Sequence, residues 1–359
     1  MVQKRRKTRK TKEIHDFILR NVSDHPKDIG QITARQFGIT RQSVSGHLNS
    51  LAEEDLLLAS GMTRARRFDL KDYIDTSFEF DVSRDLKEDV IWRDNIRPHL
   101  KDIKENVLDI LHIGLTEMVN NVIDHSESNK LTVFIFRNAM NTTLVVRDYG
   151  IGIFKKIQED FNLDDPRHSL LELSKGKLTS DDSKHTGEGI FFSSRMFDTF
   201  IIWSERLMYS CSIQNNEWLT ETENKDHFKK GTLIIMEITE DSDRTSTEIY
   251  DKYTSEYDDY GFTKTHIPLE LLRYEGEKLI SRSQAKRLLA RVDKFNEVLL
   301  DFRGVKDIGQ SFADEIFRVY KQDHPGIIIL TLNTTPEINK MINRVAPPNG
   351  QKSQTESKA

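Results

Sequence analysis

Several groups of residues have the types and spacing that chemistry requires. Glu117 and Asn121 stand four residues apart, which stacks them on one helix face, with Asn120 and Asp124 close to the same direction. A carboxylate there can orient or deprotonate an attacking hydroxyl, and an amide oxygen is a hard ligand for Mg²⁺ bridging phosphates. A solvated Glu and Asn on an amphipathic helix are equally ordinary, so the pair takes its meaning from the motifs further along the chain. Asp148-Tyr149-Gly150-Ile151-Gly152-Ile153 supplies an acid able to accept from an exocyclic amine such as that of adenine, then glycines that permit close backbone approach. Further on, Thr186-Gly187-Glu188-Gly189-Ile190 opens a helix and offers backbone N–H groups to phosphates. Arg41, Gln42, Ser43 and Ser45 near one helix start, and Arg64, Arg66 and Arg67 at a hairpin tip, suit phosphate backbones and base edges. Ser311 offers a hydroxyl just after Gly309.

The elements that position these residues emerge from periodicity. A helix over about 104–125 carries an apolar stripe of Leu108, Leu111, Leu115, Met118 and Val122. A hairpin of 131–137 and 143–148, turning at 138–141, delivers Asp148 to a strand end, and strands at 199–204, 207–213 and 232–238 come after it. In the N-terminal part, helices over 11–22 and 29–37 precede Gly38. Thr40 caps a third helix over about 41–54, whose Val44, Leu48 and Leu51 face one side, and 56–59 pairs with 66–70 around Gly61. In the C-terminal part, 281–300 reads as a helix with Ala285, Leu288, Leu289 and Val292 inward. Next come a strand over 298–301, a helix to about Tyr320, an apolar strand over 326–332 like one in a buried parallel sheet, and a closing helix over 336–344.

Composition bounds the reading. The 359 residues imply two or three domains. No apolar run is long enough to span a membrane and no apolar signal sequence is evident, so a cytoplasmic, membrane-free protein is expected. The single cysteine, Cys211, has no partner for an internal disulfide and reads as a buried strand thiol. Net charge is −5, unevenly spread. Lys4, Arg5, Arg6, Lys7, Arg9, Lys10 and Lys12 make a basic arm suited to phosphate backbones, whereas 240–260 is acidic and reads as a linker or exposed face. No fixed-period repeat is present.

The succession helix, helix, glycine turn, helix and basic hairpin resembles a winged helix-turn-helix of the bacterial regulator type. That resemblance implies that the third helix enters the major groove of double-stranded DNA, with Arg41, Gln42, Ser43 and Ser45 reading bases. Arg64, Arg66 and Arg67 would then touch backbone or minor groove. Winged helices also serve as protein-interaction modules. Over about 106–238, the order Glu117-x-x-x-Asn121, Asp148-x-Gly150-x-Gly152, long loop and Gly187-x-Gly189 resembles the GHKL ATPases: gyrase, Hsp90, histidine kinases, MutL and the anti-sigma-factor kinases. The resemblance implies an ATP–Mg²⁺ site in which Asn121 ligates Mg²⁺ and Asp148 binds the adenine amine. Gly150, Gly152, Gly187 and Gly189 would line it, Thr232 of Gly231-Thr232 would help hold adenine, and Glu117 would be the general base. The loop 154–185 departs from the family. Lys175, Lys177, Lys184 and His185 are its candidate phosphate contacts, with a solvated lid as the alternative. A histidine-kinase reading lacks a phosphoacceptor: His99 and His112 read as structural or exposed, and His125 is the better site-adjacent residue.

Leu300-Asp301-Phe302-x-Gly304-Val305-x-x-Ile308-Gly309-x-Ser311 looks like the strand-turn-helix of STAS domains, the anti-sigma-factor antagonist fold, over about 268–345. In antagonists a serine at this helix start is phosphorylated by a GHKL kinase. Ser311 sits near that position, and the competing role is a helix cap.

The expected fold is multidomain α/β. It consists of a disordered basic arm (1–12), a winged helix-turn-helix (13–75), a GHKL α/β sandwich with a mixed sheet and helices on one face (84–239), an acidic linker (240–262), a small STAS-like domain (263–345) and a disordered tail (346–359). The expected function is a cytoplasmic signalling regulator of transcription in which ATP controls a DNA-binding winged helix. The alternatives are a serine kinase acting on a STAS-like domain and a slow ATPase assembly switch whose winged helix binds protein. A partner protein or a second copy would meet the STAS-like domain.

Overall fold

The computed structural model describes residues 9–62, 66–178, 187–212, 218–221, 230–254, 261–273 and 277–346. The described chain is mixed α/β with several sheets and divides into two compact units. Most of the basic arm, Arg64, Lys184, His185, Thr186 and the tail beyond 346 lie outside the described residues.

In the first unit the chain opens with α1 (Arg9–Asn21), α2 (Ile29–Phe37) and α3 (Arg41–Glu53). α2 stops where Gly38 adopts φ 61° and donates its N–H to Ala34 O, a left-handed cap that glycine reaches without a Cβ penalty. α3 starts on Thr40, whose Oγ1 accepts from Ser43 N at 3.2 Å, a cap worth roughly 1 kcal/mol. Val44, Leu48 and Leu51 bury against Ile14, Ile18, Val22 and Ile29, and Leu57 and Phe68 close the same core. These last two come from β1 (Leu57–Ser60) and β2 (Arg67–Leu70), an antiparallel hairpin.

The composition of the chain changes near residues 71–84, between the two domains expected at 13–75 and 84–239, and β3 (Ile74–Asp81) lies there. Ile74, Thr76, Phe78 and Phe80 are half-buried and alternate with exposed Asp75, Ser77, Glu79 and Asp81, so the composition change falls inside a strand. The short α4 (Glu88–Val90) leads to Trp92, which stacks on His112 with ring centroids 4.5 Å apart. The long α5 (Glu105–His125) buries Ile110, Leu111, Leu115, Met118 and Val122, while Leu108 is half-buried. At Gly114 the helix comes so close to Phe197 that an added Cβ would stand 2.4 Å from its ring. β4 (Lys130–Arg137), β5 (Asn141–Asp148) and, much later in the chain, β9 (Leu233–Thr239) complete the order β3-β4-β5-β9, with each of these pairings antiparallel.

The acidic stretch is built into the fold at its start. The buried Arg137 needs a counter-charge, and Glu240 supplies it, with Nε to Oε1 at 2.5 Å and Thr142 Oγ1 donating to the same oxygen at 2.8 Å. Asp241 pairs with Arg20, and Asp243 with Lys104 at 2.7 Å. Residues 240–243 are therefore tied down rather than a free linker.

In the second unit, α6 (Ile153–Asp160), α7 (His168–Lys175) and α8 (Gly189–Met196) precede β6 (Thr199–Ser204), β7 (Leu207–Ser212) and β8 (Trp218–Glu221), which are neighbours in that order. Cys211 is half-buried on β7. α9 (Ser246–Lys252), also within the acidic stretch, starts with a capping box of Thr245 and Glu248. β10 (Lys264–Pro268), β11 (Glu297–Asp301) and β12 (Ile328–Leu332) form a parallel sheet in that order, accompanied by α10 (Arg282–Leu289), α11 (Gln310–Asp314), α12 (Lys321–Asp323) and α13 (Pro336–Val345). The expectation that β12 is buried on both faces holds for one face only. It is the end strand of its sheet: Ile329 is buried while Ile328, Leu330 and Leu332 are exposed. Among the described residues no helix is long and apolar enough to cross a membrane.

Candidate functional site

Within the first unit, α5 packs on β5, and the apolar stripe that buries one side of α5 leaves Glu117 and Asn121 half-buried on another. Asn121 Nδ2 is buried without a hydrogen-bond partner among the described residues, a state that costs about 1–3 kcal/mol unless a ligand answers it. Asp148 is buried at the end of β5, opposite Leu131. The turn after it is pinned by Ser128, whose Oγ accepts from Tyr149 N at 3.0 Å and donates to Lys130 O at 2.7 Å. Sequence reasoning misses Ser128; the available signal is a serine just past the helix end, where Ser side chains bond local backbone. Arg147 covers the half-exposed Tyr149 ring at 4.7 Å. His112 on Trp92 and His99 beside Phe78 are packed against aromatic rings.

Within the second unit the glycines hold turns. Gly152 takes φ 87°, and a Cβ there would stand 2.5 Å from Ser204 Oγ. Ser204 Oγ donates to Gly231 O at 2.8 Å, and Thr232 Oγ1 accepts from Ile153 N, the first residue of α6, at 3.1 Å. Thr232 is thus bound to the Gly152 turn and keeps its own O–H for donation. Gly187, at φ 66°, lies against the Leu178 backbone, and its carbonyl accepts from Leu178 N at 3.0 Å. Gly189 is the first residue of α8.

Two of the candidate phosphate contacts, Lys175 and Lys177, are engaged elsewhere. Lys175 Nζ is fully buried and donates to Glu172 Oε1 at 3.0 Å, Arg287 O at 3.1 Å and Ala290 O at 2.9 Å. Burial pushes its ammonium down to about 8 against the pull of Glu172. Lys177 Nζ donates to Lys294 O at 2.9 Å and sits 5.0 Å from the Phe295 ring centre. The same contacts explain why the helix expected over 281–300 stops at Leu289: Lys175 takes two of its last free carbonyls, and the chain then turns through Arg291 at φ 60°.

In the N-terminal helices Arg41, Gln42 and Ser43 are exposed at the start of α3, and Ser45 is half-buried. Arg66 donates to Asn49 Oδ1 on α3 at 3.0 Å, and Arg67 pairs with Asp69 at 2.5 Å. Arg66 and Arg67 are therefore partly satisfied by the fold itself.

At the carboxyl ends of the parallel strands, Asp301 accepts from Arg303 N at 2.9 Å, Asn333 Nδ2 at 2.8 Å and His266 Nε2 at 3.2 Å. Burial alone would raise its carboxyl, but these donors outweigh it and hold the group at about 2. Gly309, not Ser311, is the N-cap of α11, and an added Cβ at that position would meet Ile280 Cα at 2.7 Å. Ser311 is exposed in the first turn, so the cap role does not apply to it. A family model described as a STAS-like domain of unknown function (DUF4325) matches residues 284–339. This part of the chain is STAS-like. The match runs from α10 to α13 and includes Asp301, Ser311 and Asn333. A comparison with curated proteins finds no match.

Proposed function

We propose that the chain is an ATP-responsive regulator: α5 and the end of β5 bind ATP–Mg²⁺, and nucleotide occupancy controls what the N-terminal helices bind. The observation that carries this is the Glu117–Asn121 face of α5, on which the buried Nδ2 donor of Asn121 has no partner among the described residues, on a helix that packs against the strand ending in Asp148. In this reading Asn121 ligates Mg²⁺, Asp148 accepts from the adenine amine and Glu117 orients or deprotonates an attacking hydroxyl. Gly150, Gly152, Gly187 and Gly189 give close backbone approach, and Thr232 donates towards adenine. The bound group would supply a metal-polarised triphosphate. The finer architecture proposed is a GHKL ATPase flanked by a winged helix-turn-helix and a STAS-like domain.

Control of the N-terminal helices is supported inside the first unit. Asp241 pairs with Arg20 of α1 while its carbonyl accepts from Lys104, the N-cap of α5, at 2.6 Å. Asn106 Nδ2, in the first turn of α5, holds Ser242 O and Arg244 O at 2.9 and 2.7 Å. Movement of α5 is thereby linked to α1. The target is double-stranded DNA, read by α3 through Arg41, Gln42, Ser43 and Ser45 with Arg64, Arg66 and Arg67 on phosphates. The test is binding of mixed duplex DNA across a salt series with and without Mg-ATP. Wild type binds, Mg-ATP changes the affinity, and Arg41→Ala, which removes a base contact, weakens binding by about 1–3 kcal/mol. No duplex binding at low salt contradicts the DNA target.

A second reading is favoured by the exposure of Ser311 in the first turn of α11, where a helix N-terminus stabilises phosphate. It is a serine kinase acting on the STAS-like domain of its own or another chain. Terminally labelled ATP should then label wild type and not Ser311→Ala.

A further inference from the structure

All eight residues of α7 are buried, including the charged Glu172 and Lys175. A helix without a polar face must have its charges answered by neighbours, and here the answering groups come from the C-terminal part of the same unit. Lys175 takes the Arg287 and Ala290 carbonyls at the end of α10, and Thr265 Oγ1 on β10 donates to Lys175 O at 2.6 Å. Arg291 makes an ion pair with Glu172 of α7, and its guanidinium lies 4.2 Å from the ring centre of Phe161, at the end of α6. Gly176 takes φ 78° with Phe262 so close that a Cβ would stand 2.7 Å from its ring. Lys177 Nζ is held by Lys294 O between the Phe262 and Phe295 rings. Three carbonyls within 287–294 thus capture two ammonium groups. The next residue, Leu178, is hydrogen-bonded to Gly187 O, so Lys177 directly precedes a residue that lies on the glycine turn assigned to phosphate.

We propose that this part of the chain, the α10–β11 turn above all, is an internal latch on the nucleotide-binding segment. Engaged, it withholds Lys175 and Lys177 from phosphate; released, it frees at least Lys177 to contact ATP. Arg291 is the pivot, because it contacts both α7 and the end of α6. The proposal rests on the ATP reading given above.

The test is a set of variants in the full chain. Arg291→Ala breaks the hold on both helices without removing either lysine. Thr265→Val added to it cuts the β10 contact as well. Amide hydrogen exchange over 168–178 should rise in the single variant and further in the double variant. Mg-ATP affinity by calorimetry should tighten at least fivefold in Arg291→Ala, and Lys177→Met in that background should abolish the gain. In wild type, Mg-ATP should raise exchange over 287–296. Faster exchange with unchanged or weaker ATP affinity overturns the latch, as does unchanged exchange in both variants. If neither wild type nor any variant binds ATP, the nucleotide reading itself fails and the latch fails with it. Binding by Arg291→Ala where wild type shows none supports the latch.

Discussion

Two regions of the molecule use the same residue types to different ends. At the end of β5 an aspartate, Asp148, precedes Gly150, and an asparagine, Asn121, stands on the helix that packs against that strand. At the end of β11 an aspartate, Asp301, precedes Gly304, and Asn333 comes directly after the neighbouring strand β12. In the second region Asn333, at φ 53°, commits its amide to Asp301, and His266 and Arg303 N donate to the same carboxylate. In the first, the amide nitrogen of Asn121 is buried with no hydrogen-bond partner among the described residues. A polar group answered within the chain stabilises the fold; one left unanswered is a cost that a ligand can remove. One asparagine is committed to the fold, and the other keeps an amide nitrogen unanswered among the described residues.

That contrast can be broken by stability measurements. Asp301→Ala should have the largest effect, about 3 kcal/mol by urea denaturation, because it strands three donors at once. Asn333→Ala comes next at about 1–2 kcal/mol, since it removes one of the three. Its effect should depend on pH in a defined sense. Asp301 is held at about 2 in the fold against an ordinary 3.8. Its contribution is therefore fully present above about pH 4 and is lost as pH falls through 2. The wild-type advantage over Asn333→Ala should accordingly shrink between about pH 5 and pH 2. Asn121→Ala should have the smallest effect, within about 0.5 kcal/mol of wild type or slightly stabilising. A loss equal to that of Asn333→Ala would erase the distinction between the two regions.

Much of the fold is legible in the sequence where local pattern and burial agree. Thr40 as cap, Val44, Leu48 and Leu51 as the inner face of α3, and the hairpin turning at Asn138 all occur as periodicity and turn chemistry predict. The candidate residues Glu117, Asn121, Asp148 and Gly189 fall on the expected elements. What is not legible depends on partners distant in sequence. The apolar spacing of Ala285, Leu288, Leu289 and Val292 continues past the true helix end, because the residue that caps the free carbonyls is Lys175, more than a hundred positions earlier. Lys175 and Lys177 themselves read as phosphate contacts, since nothing local reveals that carbonyls of 287–294 capture them. Glu240 reads as part of a solvated acidic run for the same reason: its partner Arg137 is buried on β4. β3, by contrast, carries a plain alternation from Ile74 to Asp81, which the change of composition around it obscures.

The most direct test of ATP binding at the Asn121 face is a calorimetric titration of the full chain with Mg-ATP, run on wild type and on Asn121→Ala at matched fold stability. One saturable site is expected in wild type, with at least a hundredfold weaker binding in the variant. No binding by wild type, or equal affinity in the two proteins, would contradict it.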